Sequence, residues 1–103
     1  MDATKSYIKV YNVSPEEMED FAFDYSIDDS DLFTELVPDL DCWGEIGWME
    51  LDEVEYDAKE RVLNIGVETK WSGPARWLQQ ASYDTQCFEN KLVTMTTIQK
   101  DET

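Results

Sequence analysis

The chain has 103 residues, of which 24 are Asp or Glu, 8 are Lys or Arg and none is His, for a net charge of −16. That is the length of one domain, able to bury roughly 60 to 65 per cent of its unfolded surface in a single core, and its 13 per cent aromatic content argues against a disordered acidic chain. The charge disfavours direct contact with nucleic acid or with an anionic membrane. The lack of histidine excludes every catalytic or metal arrangement that uses one as base or ligand.

Ser6 to Val13 alternates Tyr7, Lys9, Tyr11 and Val13 against Ile8 and Val10, which predicts a first strand. Ser14-Pro15-Glu16-Glu17 is a capping box, with Ser14 at the N-cap, Pro15 at N1 and Glu17 at N3. The helix that starts there carries Met18, Phe21, Ala22 and Tyr25 on one face. Glu16, Glu17, Glu19, Asp20 and Asp24 spread over the remainder, and Phe23 lies off the apolar stripe. Ser26 to Ser30 breaks the pattern. Asp31 to Val37 then predicts a short extra helix that Pro38 ends, and Asp39 to Gly47 reads as an aromatic loop.

Trp48 to Tyr56 and Arg61 to Trp71 are apolar runs around the polar turn Asp57-Ala58-Lys59-Glu60, and should pair antiparallel. In the second run Leu63, Ile65, Val67, Thr69 and Trp71 share one face. In the first the apolar parity switches from Met49 and Leu51 to Val54 and Tyr56, which predicts a bulge near Asp52 and Glu53. Ser72 or Gly73 caps a second helix with Pro74 in its first turn, and Pro74, Trp77, Leu78 and Ala81 recur at helical spacing. After a turn around Tyr83 to Glu89, Lys91 to Gln99 is the last strand, and Lys100 to Thr103 should fray. The element order is that of an α+β fold, the ferredoxin-like split βαβ sandwich: one domain over 1–103, a four-stranded antiparallel sheet, two main helices on one face and a short extra helix. Right-handed crossovers put the first and third strands in the centre.

Tyr7 to Phe21, Phe33 to Pro38, Trp43-Gly44 with Trp48, and Thr69-Lys70-Trp71-Ser72-Gly73-Pro74 together resemble the YubB-like ferredoxin-like domain family of phage and plasmid proteins. Gly73-Pro74 stands where that family usually has two prolines, and the last strand departs from its aromatic-acidic pattern. The resemblance implies the sandwich fold and a mobile-element origin, and supplies no active site.

Little in the chain suggests catalysis. Cys42 and Cys87 lie far apart, form at most one bridge and lack an activating base nearby in sequence, so they read as reduced. The four glycines are isolated and make no phosphate loop. Asp24, Ser26, Asp28 and Glu35 fit positions 1, 3, 5 and 12 of a calcium loop, but Asp29 occupies position 6, where the sharp turn needs glycine. Trp43, Trp48, Trp71 and Trp77 read as core, with a ligand-lining surface as the alternative. No enzyme activity, cofactor or metal is called for. The N-terminus lacks the apolar stretch of a signal peptide and no run suits a membrane span, so a cytoplasmic protein is expected.

Charge segregation carries the functional reading. From Val10 to Ala58 there are 17 acidic residues and no Lys or Arg. Glu53, Glu55 and Asp57 recur along a strand at about 6.6 Å, while Glu16 with Asp20, and Asp20 with Asp24, recur along a helix at about 6 Å. Both steps resemble that between neighbouring phosphates of a nucleic-acid strand. The expected binding residues are therefore Glu16, Glu17, Glu19, Asp20, Phe23 and Asp24 of the helix, Asp28, Asp29 and Asp31 after it, and Glu50, Asp52, Glu53, Glu55 and Asp57 of the hairpin. The expected partner is a basic host protein or nucleoprotein complex, a CRISPR effector or a restriction enzyme, with no membrane involved. The expected activity is inhibition by nucleic-acid mimicry. The alternative is a binding module for a peptide or small ligand on a tryptophan-lined surface, with the charge serving solubility.

Overall fold

The computed structural model describes residues 4–24, 46–71, 73–85, 88 and 90–99. Its elements are β1 (Thr4–Val10), α1 (Pro15–Asp24), β2 (Met49–Asp57), β3 (Val62–Thr69), α2 (Ala75–Thr85) and β4 (Val93–Gln99). The strands form one antiparallel sheet in the order β2-β3-β1-β4, so the first and third strands do hold the centre. The architecture is α+β, with four strands and two helices among the described residues.

Strand alternation decides where the core lies. In β1 Thr4, Ser6, Ile8 and Val10 are buried while Tyr7 and Lys9 are exposed, and in β3 Leu63, Ile65, Val67 and Thr69 are buried. The register Ser6↔Val67, Ile8↔Ile65 and Val10↔Leu63 sets these residues side by side on one face. Met18, Phe21 and Ala22 of α1 and Trp77 and Ala81 of α2 pack into the same apolar cluster. Phe88 closes it, edge-on to Phe21 at 6.1 Å between ring centres.

The helix starts follow from local chemistry. The capping box forms as read: the Glu17 N–H donates to Ser14 Oγ at 3.2 Å, and the Ser14 N–H donates to Glu17 Oε1 at 3.0 Å. In α2 the Leu78 N–H donates to the Pro74 carbonyl at 2.8 Å. Pro74 itself thus takes the N-cap position expected of Ser72 or Gly73, and is buried there. The helix also runs on through Tyr83 to Thr85, residues that the sequence assigned to a turn.

Other boundaries differ for identifiable reasons. The first strand begins at Thr4 and ends at Val10, because Asn12 adopts a left-handed φ of 61° and turns the chain. Val13 is buried all the same, its N–H bonded to the Arg61 carbonyl and its own carbonyl accepting from Tyr56 Oη at 2.6 Å. Asp57 pairs with Val62, so the hairpin connection is 58–61, with Arg61 at φ 57°. Asp57 Oδ1 accepts the N–H groups of Lys59 and Glu60 and sets that turn. The expected short helix over 31–37, the loop as far as Glu45, the calcium-loop positions beyond Asp24 and both cysteines lie outside the described residues. Among the described residues no helix is long and apolar enough to cross a membrane.

Trp77 is fully buried, so Trp77→Ala should lower the unfolding free energy by about 3–5 kcal/mol. Ser14→Ala should lower it by about 1 kcal/mol through the lost cap. Urea titration followed by circular dichroism measures both.

Candidate functional site

The helices occupy one face of the sheet, and alternation sends every other side chain to the opposite face. Reading across β2-β3-β1-β4, that face carries the rows Glu50-Glu68-Lys5-Ile98, Glu53-Gly66-Tyr7-Thr96 and Glu55-Asn64-Lys9-Thr94. Tyr7 is 37% exposed although it sits on a central strand. Among the described residues nothing layers over this face.

The β-bulge aims the acids. The β2–β3 register shifts between Leu51 and Glu53, where the sequence predicts it. A slip of one residue moves a strand's side chains to the other face. With the shift, Leu51, Val54 and Tyr56 all pack against the core, while Glu50, Asp52, Glu53, Glu55 and Asp57 are all exposed. Gly66 lets one of them reach inward across the sheet, since a Cβ at 66 would lie 2.8 Å from Glu53 Cγ. Lys5 crosses from β1 to pair with Asp52, and its ammonium lies 5.5 Å from the centre of the Tyr7 ring. Glu55 and Asp57, with Tyr56, Ala58 and Asn64, also line a hollow at the turn end.

An aromatic patch ends the same ladder. The Lys70 N–H donates to the Trp48 carbonyl and the Trp71 N–H to the Ile46 carbonyl, each at 3.1 Å, extending the β2–β3 pairing past Thr69. Gly47, at φ 83°, is required there because a Cβ would lie 2.7 Å from Lys70 Cβ. The Lys70 ammonium sits 4.6 Å over the Trp71 ring. Trp48 is 41% and Trp71 51% exposed. The expectation that the tryptophans are core therefore holds for Trp77 and fails for Trp48 and Trp71, which lie just past the Met49↔Thr69 end of the ladder; Trp43 lies outside the described residues.

The expected binding residues divide between two sides of the molecule. Glu50, Asp52, Glu53, Glu55 and Asp57 come together on the open sheet face, joined by Glu68. Sequence reasoning passed over Glu68, although it shares the polar side of β3 with Asn64 and Lys70. Glu16, Glu19 and Asp20 are exposed on the helical layer, across the sheet from β2. Glu17 is already engaged, capping α1 and pairing with Lys91 at 2.5 Å. The Lys91 hydrogen bond, then the Ser14 N–H, holds its carboxyl down at about 2. The side chains of Phe23 and Asp24, and all of Asp28, Asp29 and Asp31, lie outside the described residues. Among the described residues no three acidic or cysteine side chains are grouped to hold a metal ion.

Comparison with protein-family models, with curated proteins and with solved structures finds no match for this chain.

A carboxyl whose folded pKa is depressed stabilises the fold fully above its unfolded value of 4.5 and loses that contribution as pH falls toward about 2. An NMR pH titration should place the Glu17 side-chain midpoint near 2, and Lys91→Ala should return it toward 4.5. A wild-type midpoint near 4.5 would refute the Lys91 contact.

Proposed function

We propose that this protein is a non-enzymatic inhibitor from a phage or other mobile element, acting as a nucleic-acid mimic in the host cytoplasm on a basic nucleoprotein complex, a CRISPR effector or a restriction enzyme. Its fold, in this reading, is a ferredoxin-like sandwich of the YubB-like kind, supported by the strand order and by the motifs around Trp43-Gly44 and Trp71-Ser72-Gly73-Pro74. The observation that carries the proposal is the row of exposed carboxylates on the open face of β2, supplemented by Glu68. Lys5 neutralises Asp52, leaving Glu50, Glu53, Glu55 and Glu68 to meet cations of a partner. Inhibition works by competition: these carboxylates pair with the Lys and Arg that otherwise hold phosphates, steering fast association that weakens with salt. Trp48, beside Glu50, supplies the salt-insensitive part as an aromatic anchor. The helix acids Glu16, Glu19 and Asp20 face away and serve solubility or a second contact.

The second reading, a peptide or small-ligand module, gains from the exposure of Trp48 and Trp71. The two readings respond differently to charge reversal. Glu53→Lys with Glu55→Lys should leave the circular dichroism unchanged and abolish both inhibition of cleavage and capture of a basic nucleoprotein from host lysate. Capture by the wild type should fall steeply from low to high salt. If the double variant still inhibits, or capture ignores salt and is lost instead in Trp48→Ala, the ligand-module reading replaces the mimic.

A further inference from the structure

The two edges of the sheet are built differently. β2 forms one edge, with a bulge and exposed acids that deter pairing with another strand. β4 forms the other. It lies in Leu92 to Gln99, eight residues without a charge and the longest such run in a chain that is 31% charged. It carries neither bulge nor proline, its pairing with β1 is regular from Val93 to Gln99, and Ile98 is 53% exposed. Among the described residues nothing pairs with its outer side.

The hydrogen-bonding phase of that edge can be read. The Tyr11 N–H donates to the Leu92 carbonyl, so Leu92 and, by alternation, Thr94, Thr96 and Ile98 turn their backbone groups toward β1. Val93, Met95, Thr97 and Gln99 therefore turn theirs outward. A twofold axis at Thr96 would set Thr96 against its own counterpart, Met95 against Thr97 and Val93 against Gln99. All four outward-facing residues then meet outward-facing residues, and no two charges meet across the join.

We propose that the protein forms a twofold dimer by antiparallel pairing of β4 with β4 of a second copy, giving a continuous eight-stranded sheet. The occupant is a second copy because the strand sets no like charges against itself and meets itself in hydrogen-bonding phase. A body of net charge −16 repels its copy, and this is the edge farthest from the β2 carboxylates. The acidic, bulged β2 strands then lie at both ends of the joined sheet and stop further growth, so the assembly closes at two. Each dimer presents two copies of the acidic face. The dimer does not depend on the mimic proposal.

Sedimentation equilibrium of the full chain, over a concentration series at low and high salt, tests this. The expected mass is twice 12.0 kDa, with tighter association at high salt, opposite to the trend for a basic partner. Thr96 is exposed, so Thr96→Lys and Thr96→Glu should each keep the monomer's circular dichroism. Each should weaken the dimer on the order of fivefold or more by setting like charges face to face. An equimolar mixture of the two variants should recover it. A wild type that stays monomeric throughout, single variants that associate as the wild type does, or a mixture that fails to recover would overturn the proposal.

Discussion

The central β1–β3 ladder is the constraint on which the rest depends. It runs in unbroken register from Thr4↔Thr69 to Val10↔Leu63, and because a strand's side chains alternate, that register commits one face to Ser6, Ile8, Val10, Leu63, Ile65 and Val67. The helices must cover these residues, so Trp77, Ala81, Met18 and Phe21 are drawn to that side. Lys5, Tyr7, Lys9, Asn64 and Glu68 go to the other. β2 joins the frame with its acids on the same open face as Glu68, and its bulge reconciles Met49 and Leu51 with Val54 and Tyr56 on the core side.

That frame also sets how far the charge is neutralised. The block from Val10 to Ala58 has no cation of its own, yet folding brings Lys5 to Asp52 and Lys91 to Glu17 from sequence on either side of it. Lys5 reaches Asp52 because β1 is only two strands from β2. The Lys5–Asp52 pair keeps its carboxylate open to solvent, 44% exposed, and so is screened; such a pair contributes on the order of 1 kcal/mol, too little to offset the repulsion that comes with a net charge of −16. In the function proposed above, a cationic partner would supply the balancing charge that the acidic block itself lacks.

Sheet edges and ends supply the remaining asymmetry. The acidic stripe lies along one edge and an uncharged, β-branched strand along the other, so contact with a basic partner and contact with a second copy need not compete for the same surface. Trp48 and Trp71 sit at one end of the β2–β3 ladder, where Gly47 allows close packing of Lys70 and Trp71.

The α+β class, the capping box at Ser14 and Glu17, the hairpin and the bulge beside Asp52 were legible in the sequence, because each is written in neighbouring residues by a period, a cap or a change of parity. The β4 run and the acidic block were equally plain as composition. Pairings between residues distant in sequence were not: that Lys5 meets Asp52, that Glu17 is taken by Lys91, that the acids of α1 and β2 fall on opposite sides, and that Trp48 and Trp71 are exposed while Trp77 is buried. Local pattern tells which side of its own element a residue occupies. Only the packing of the helices on one face of the sheet decides what lies across from it, and whether anything does.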